Sequence, residues 1–126
     1  MMHIPERIHQ AWETHVGPMV LTTSNEQGGP NAVYVKCVTP YGDDAFLIAD
    51  NKFDKTRHNI LKGNPSGSLL FICEDNTAYQ IKGCLEYHTE GEVFQAMLAR
   101  TPNRFARHAA VLLRVDACFC GAEKIE

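Results

Sequence analysis

Lys55 and Thr56 are the residues whose types and position best suit chemistry in this sequence. They lie in Asp54-Lys55-Thr56-Arg57-His58-Asn59-Ile60-Leu61-Lys62, a run that reads as a helix closed by Gly63, Asn64 and Pro65. The first N–H groups of a helix lack intrahelical acceptors and point outward together, and the macrodipole adds partial positive charge there. An ammonium and a hydroxyl in that first turn would join those N–H groups around a phosphate monoester. A plainer reading fits the same residues: Asp54 is the N-cap, and Lys55 and Arg57 are solvated surface charge. If the seat is real, Asp54 must point away from it.

Other chemistries lack a pattern. The histidines at 3, 9, 15, 58, 88 and 108 form no His-x-x-x-His pair and no ligand set with carboxylates, so no metal site is expected. His58 reads as a helix-surface histidine. Cys37, Cys73, Cys84, Cys118 and Cys120 are odd in number and scattered through apolar runs without a Cys-x-x-Cys; they read as reduced core thiols. Gly-x-Ser-x-Gly, Walker and Gly-x-Gly-x-x-Gly motifs are absent, which disfavours dinucleotide folds.

The elements that must position Lys55 and Thr56 are mostly strands. Residues 5 to 15 form an amphipathic helix ended by Gly17-Pro18, followed by a strand from Met19 to Thr23 and a turn over 24 to 29. Asn31 to Val38 returns as one strand, with Val33, Val35 and Cys37 on an inner face and Tyr34 and Lys36 on the other. That second face is either ordinary solvent-facing polarity or the wall of a site. Thr39 to Asp44 reads as a turn. A buried strand from Ala45 to Ala49 stops at Asp50-Asn51 and leads into the Lys55 helix, which Ile60 and Leu61 anchor. Gly67 to Cys73 and Thr77 to His88 pair as a hairpin, and Gly83 marks a bulge that would curl the sheet. Thr89-Glu90-Gly91-Glu92 matches a capping box for a helix to about Arg100, and Ala110 to Cys120 is the last strand. The order predicts a mainly β domain over residues 1–126, a six-stranded antiparallel barrel with peripheral helices.

A strand ending in Ala-Asp, then Lys-Thr-Arg-x-Asn-Ile and Asn-Pro, resembles the FMN-phosphate segment of the pyridoxamine 5'-phosphate oxidase-like, FMN-binding split-barrel family, in particular its small bacterial FMN-binding proteins. The likeness runs from about Val20 to about Val115. It implies FMN as cofactor, with Tyr34, Val35 and Lys36 against the isoalloxazine ring. Ala49, Asp50 and Asn51 would contact the ring or ribityl chain, and Lys55 and Thr56 would hold the phosphate. It also implies sites built between subunits. The basic cluster Arg104, Arg107 and His108 reads as a solvated loop, or as a contribution to the flavin site across a dimer interface. Vitamin B6 oxidases proper are longer and carry a C-terminal Arg and His segment that this chain does not match.

A barrel of this size is filled by its own side chains, so a flavin must lie outside against the wall, and a second subunit closing over it predicts a homodimer. Three functions follow: an FMN-dependent oxidoreductase with a small-molecule or protein redox partner, a non-enzymatic FMN electron carrier, or a dimeric module binding haem or no cofactor. The 126 residues, 44% apolar and 21% charged with a net charge of −3, carry no basic stripe for nucleic acid. No apolar run is long enough to span a membrane and the N-terminus lacks a signal-peptide pattern; a reducing cytoplasm fits these features.

Overall fold

The computed structural model describes residues 2–126. The elements run α1 (Glu6–Glu13), β1 (His15–Ser24), β2 (Pro30–Val35), β3 (Val38–Tyr41), β4 (Ala45–Asp50), α2 (Lys55–Lys62), β5 (Asn64–Cys73), β6 (Ala78–His88), α3 (Glu92–Arg100), β7 (Ala109–Cys120) and β8 (Glu123–Ile125). All strand pairs are antiparallel, in the order β2-β1-β5-β6-β7-β4-β3, with β8 added to β7.

One connection fixes the shape. β2 and β3 are the two edges of this path, yet only Lys36 and Cys37 join them. Three peptide steps span at most about 11 Å, so the sheet must curl until its edges face each other. The result is the mainly β split barrel, with a seam where β2 meets β3. The continuous Asn31–Val38 strand is therefore corrected: it breaks at the seam, and Val38 to Tyr41 pairs with β4 instead of turning. Eight strands replace six because the expected second strand divides in this way and the short C-terminal β8 carries too few residues to show a period.

The bulge expected at Gly83 is present, as a register shift between Lys82 and Gly83 against β7. A Cβ at Gly83 would lie 1.9 Å from the Arg114 carbonyl oxygen, so only glycine permits this approach. Gly17-Pro18, expected to end α1, instead lies inside β1 at a second register shift, and α1 stops at Glu13. The capping box also differs: α3 begins at Glu92 behind Gly91, with no side-chain cap bond.

The barrel interior takes Ile8, Met19, Leu21, Phe46, Ile48, Leu69, Ile81 and Val115 among others. A second cluster forms outside the barrel, where Ala45, Leu47 and Ala49 of β4 and Ala110 and Leu112 of β7 pack with Met97 of α3. Thus all six residues of β4 are buried, the signature of a strand covered on both faces. Cys37, expected inside the barrel, packs with the outer cluster. Of the other thiols Cys73 and Cys118 are buried, but Cys84 is exposed. Leu61, expected as an anchor, is 54% exposed, while Ile60 is buried. No described helix is long and apolar enough to cross a membrane.

Candidate functional site

The seam opens into a groove of two adjoining chambers. The first, about 370 Å3, is walled by Tyr34, Val35 and Lys36 of β2 and floored by Ala49 at the end of β4. Asn51, Lys52 and Phe53 close its far side, and Arg104, Phe105 and Ala106 form its roof. The second, about 340 Å3, shares Lys36, Ala49, Arg104 and Phe105 and runs beneath the C-terminal end of α3 past Met97 and Arg100. Both volumes fall in the ~300–1,000 Å3 range of small-molecule sites. Ala49 matters here: a larger residue in that β4 position would fill the floor of both chambers.

The groove is electropositive. Lys36, Lys52, Arg100 and Arg104 line the two chambers and no carboxylate does. Arg104 lies over the Phe105 ring with its guanidinium 4.7 Å from the centroid. Arg100 donates to the Pro40 carbonyl (2.9 Å) and to Thr39 Oγ1 (3.3 Å), which ties α3 to the β3 edge.

The roof hangs from the end of β4. Asn51 Oδ1 accepts from the Arg107 backbone N–H (3.0 Å), and the Asp50 carbonyl accepts from that of His108 (2.8 Å). Arg107 holds φ at +52°, a left-handed conformation uncommon for a non-glycine residue, and its Nε is buried without a partner. Asn51 Nδ2 also reaches Cys37 Sγ (3.7 Å), so one amide ties the roof to the link between β2 and β3.

The groove ends at Phe53, where α2 begins. Lys55 is the first residue of α2 and is exposed, lining a separate cleft of about 620 Å3 beside the β1–β2 turn. Asp54 makes no side-chain cap bond, so the first N–H groups of α2 have no side-chain acceptor from it. Thr56 is turned inward, 1% exposed, and its Oγ1 accepts from Asn31 Nδ2 (3.0 Å). Asn59 donates to Thr23 Oγ1 (3.0 Å), so two side-chain bonds pin α2 to the β1–β2 hairpin. His58, on the surface as expected, lies 3.5 Å from Glu26.

Asp50 is fully buried and takes no part in lining the groove. Its Oδ1 accepts from the Phe53 N–H (2.8 Å), and its Oδ2 accepts from Tyr87 Oη (2.5 Å) and from Arg57 Nε (3.2 Å), which also donates to Tyr87 Oη (2.9 Å). Burial and the Asp50 carboxylate push the Tyr87 hydroxyl up to about 12. The Tyr87 and Asp50 hydrogen bonds raise Arg57 above its ordinary value.

Five of the eight residues singled out in the sequence, Tyr34, Val35, Lys36, Ala49 and Asn51, therefore share one chamber. Lys55 stands beyond its end, and Asp50 and Thr56 are buried behind it. Arg104 and Phe105 roof the groove of their own chain, a role the basic cluster alone did not reveal. Arg57 and Tyr87 were not anticipated, since nothing in strand or helix spacing marks two side chains that meet 30 residues apart.

A family model described as pyridoxamine 5'-phosphate oxidase matches residues 4–118. The chain belongs to that family. An uncharacterized protein of Methanocaldococcus jannaschii is 35% identical over 74 residues, 57% of this chain and 49% of that one, so the match spans about half of that relative's length. The crystal structure of HupZ from Group A Streptococcus superposes with a TM-score of 0.80 at 20% identity, covering 98% of both chains. An FMN-binding protein from Syntrophomonas wolfei superposes with a TM-score of 0.80 at 18% identity, covering 96% of this chain and 87% of that one. These likenesses establish that the oxidase-family fold is shared with both.

Proposed function

We propose that this member of the pyridoxamine 5'-phosphate oxidase family binds FMN in the seam and passes hydride or electrons through it. The observation that carries the reading is an apolar-walled, cationic groove that ends at Phe53, two residues before a helix N-terminus that Asp54 leaves uncapped. The residues present fit the group. Val33, Val35, Ala49 and Phe105 offer flat apolar surface, Lys36 and Arg104 offer positive charge, and α2 offers N–H donors beside Lys55. The FMN-binding relative from Syntrophomonas wolfei supports the same reading.

Tyr34, Val35 and Lys36 stand against the ring with Ala49 beneath it. Asn51 meets the ring or ribityl chain, and Lys55 with the first N–H groups of α2 holds the phosphate. Thr56 contributes through its backbone, since Asn31 occupies its side chain. Bound FMN supplies hydride and electron transfer, and the protein sets its orientation and electronics. Lys36 favours negative charge on the reduced ring. The second chamber brings a small redox partner alongside, and Arg100 and Arg104 suit an anionic one.

Tyr34 is 74% exposed on the rim, and a second copy closing over it makes the functional unit a homodimer. The five thiols are unpaired, in keeping with a reducing cytoplasm. A non-enzymatic FMN carrier uses the same site without the second chamber. A haem-binding or cofactor-free module remains the distinct alternative.

The test is a visible absorption spectrum of the purified protein before and after addition of FMN and removal of the unbound excess. A two-band oxidised flavin spectrum with FMN released on denaturation supports the reading. A colourless protein that takes up no FMN refutes it, and a Soret band moves haem to the front.

A further inference from the structure

We infer that Asp50 and Tyr87 are positioning residues that aim the phosphate end of the site, and that Asp50 does not itself touch the ligand. The inference rests on the FMN reading above. Its basis is a carboxylate that is 0% exposed yet accepts three hydrogen bonds from three different places. One donor is the Phe53 N–H, in the turn immediately before α2; another is Arg57, in the first turn of α2; the third is Tyr87, on β6, the strand beyond β7 in the sheet.

A buried carboxylate is tolerated only when its lone pairs are satisfied and its charge is compensated. Here the Arg57 guanidinium supplies the charge, and Tyr87 bonds both members of the pair. The three bonds fix where β4 ends, how the turn bends and which way the first turn of α2 faces. The N–H groups beside Lys55 are donors of fixed direction, so a small rotation of the turn misplaces them together. The β2 wall of the ring chamber stands on other supports, because Tyr34, Val35 and Lys36 are held by pairing with β1, and only Asn51, Lys52 and Phe53 of that chamber lie in the clamped turn. Loosening the clamp should therefore separate the two ends of the ligand energetically.

Comparing FMN with riboflavin, which has the ring and ribityl chain but no phosphate, tests this. Affinity of the full-length protein for both is measured by quenching of flavin fluorescence, with a thermal melt confirming that each variant is folded. Asp50→Ala is expected to weaken FMN by about 10-fold or more, because the phosphate donors lose their fixed direction, and to leave riboflavin within roughly 2-fold. Tyr87→Phe keeps the ring packing and removes one hydroxyl; it gives a smaller loss in the same direction and serves if Asp50→Ala does not fold. Equal weakening of both flavins would overturn the inference, as would unchanged or tighter FMN binding. Wild-type protein that binds neither flavin refutes the FMN reading itself, and the inference with it.

Discussion

Replacing Lys55 with alanine tests the phosphate seat directly. Lys55 brings one full positive charge to the first turn of α2, and the helix end contributes about half a charge through its macrodipole. The substitution therefore removes roughly two thirds of the local positive source while Asp54 stays beside it. A charge-assisted hydrogen bond is worth about 1.5–3 kcal/mol, and the exposure of Lys55 places the expected loss at the lower end of that range. At ~1.5 kcal/mol the Kd for FMN rises about tenfold. Riboflavin affinity stays the same, since the groove lining is untouched. Isothermal titration calorimetry of wild-type and variant protein at two salt concentrations reads both quantities, and the difference between the proteins should shrink as salt rises. A Kd for FMN within roughly twofold of wild type would refute the assignment of Lys55 to the phosphate.

Lys36→Met in FMN-loaded protein should lower the two-electron midpoint potential by roughly a few tens of millivolts, because a positive charge near the reduced ring is lost; spectroelectrochemistry showing an unchanged potential removes Lys36 from that role. Gly83→Ala places a Cβ 1.9 Å from the Arg114 carbonyl and should cost about 3 kcal/mol of stability, a Tm fall of roughly 10 °C by circular dichroism. Ultraviolet titration should show a tyrosine step near 12, and Tyr87→Phe should remove it. Because folding raises the value for Tyr87, its contribution to stability is whole below the ordinary tyrosine range and is lost as pH rises through that range toward about 12. Chemical denaturation that shows stability rising over that interval contradicts this sign.

The parts of the fold carried by local chemistry were legible in the sequence. The Lys55 helix, the β5–β6 hairpin and the Gly83 bulge are each marked by capping, turn or backbone-freedom signals within a few residues. The seam was not. Val33, Val35 and Cys37 alternate as a single strand would, and only the pairing of Val38 to Tyr41 with β4 shows that the chain changes partner there. The site divides the same way. Tyr34 and Lys36 were visible as an unexplained polar face, whereas only the family resemblance placed Asp50 at the ligand, and its place at the end of a strand is the same whether its side chain points outward or in. Its partners Arg57 and Tyr87 come from separate elements, and Phe105 was unremarkable until the roof was seen to hang from Asn51 and Asp50.

The two-residue link between β2 and β3 leaves two sheet margins without a ladder between them among the described residues. Unpaired strand margins are templates for the strands of other molecules. Pro30 at the head of β2 and Pro40 within β3 each withdraw one N–H from such pairing, which blunts the hazard without removing it. A molecule seated in the groove would cover both margins at once, so occupancy is expected to limit strand-edge pairing beyond the homodimer proposed above.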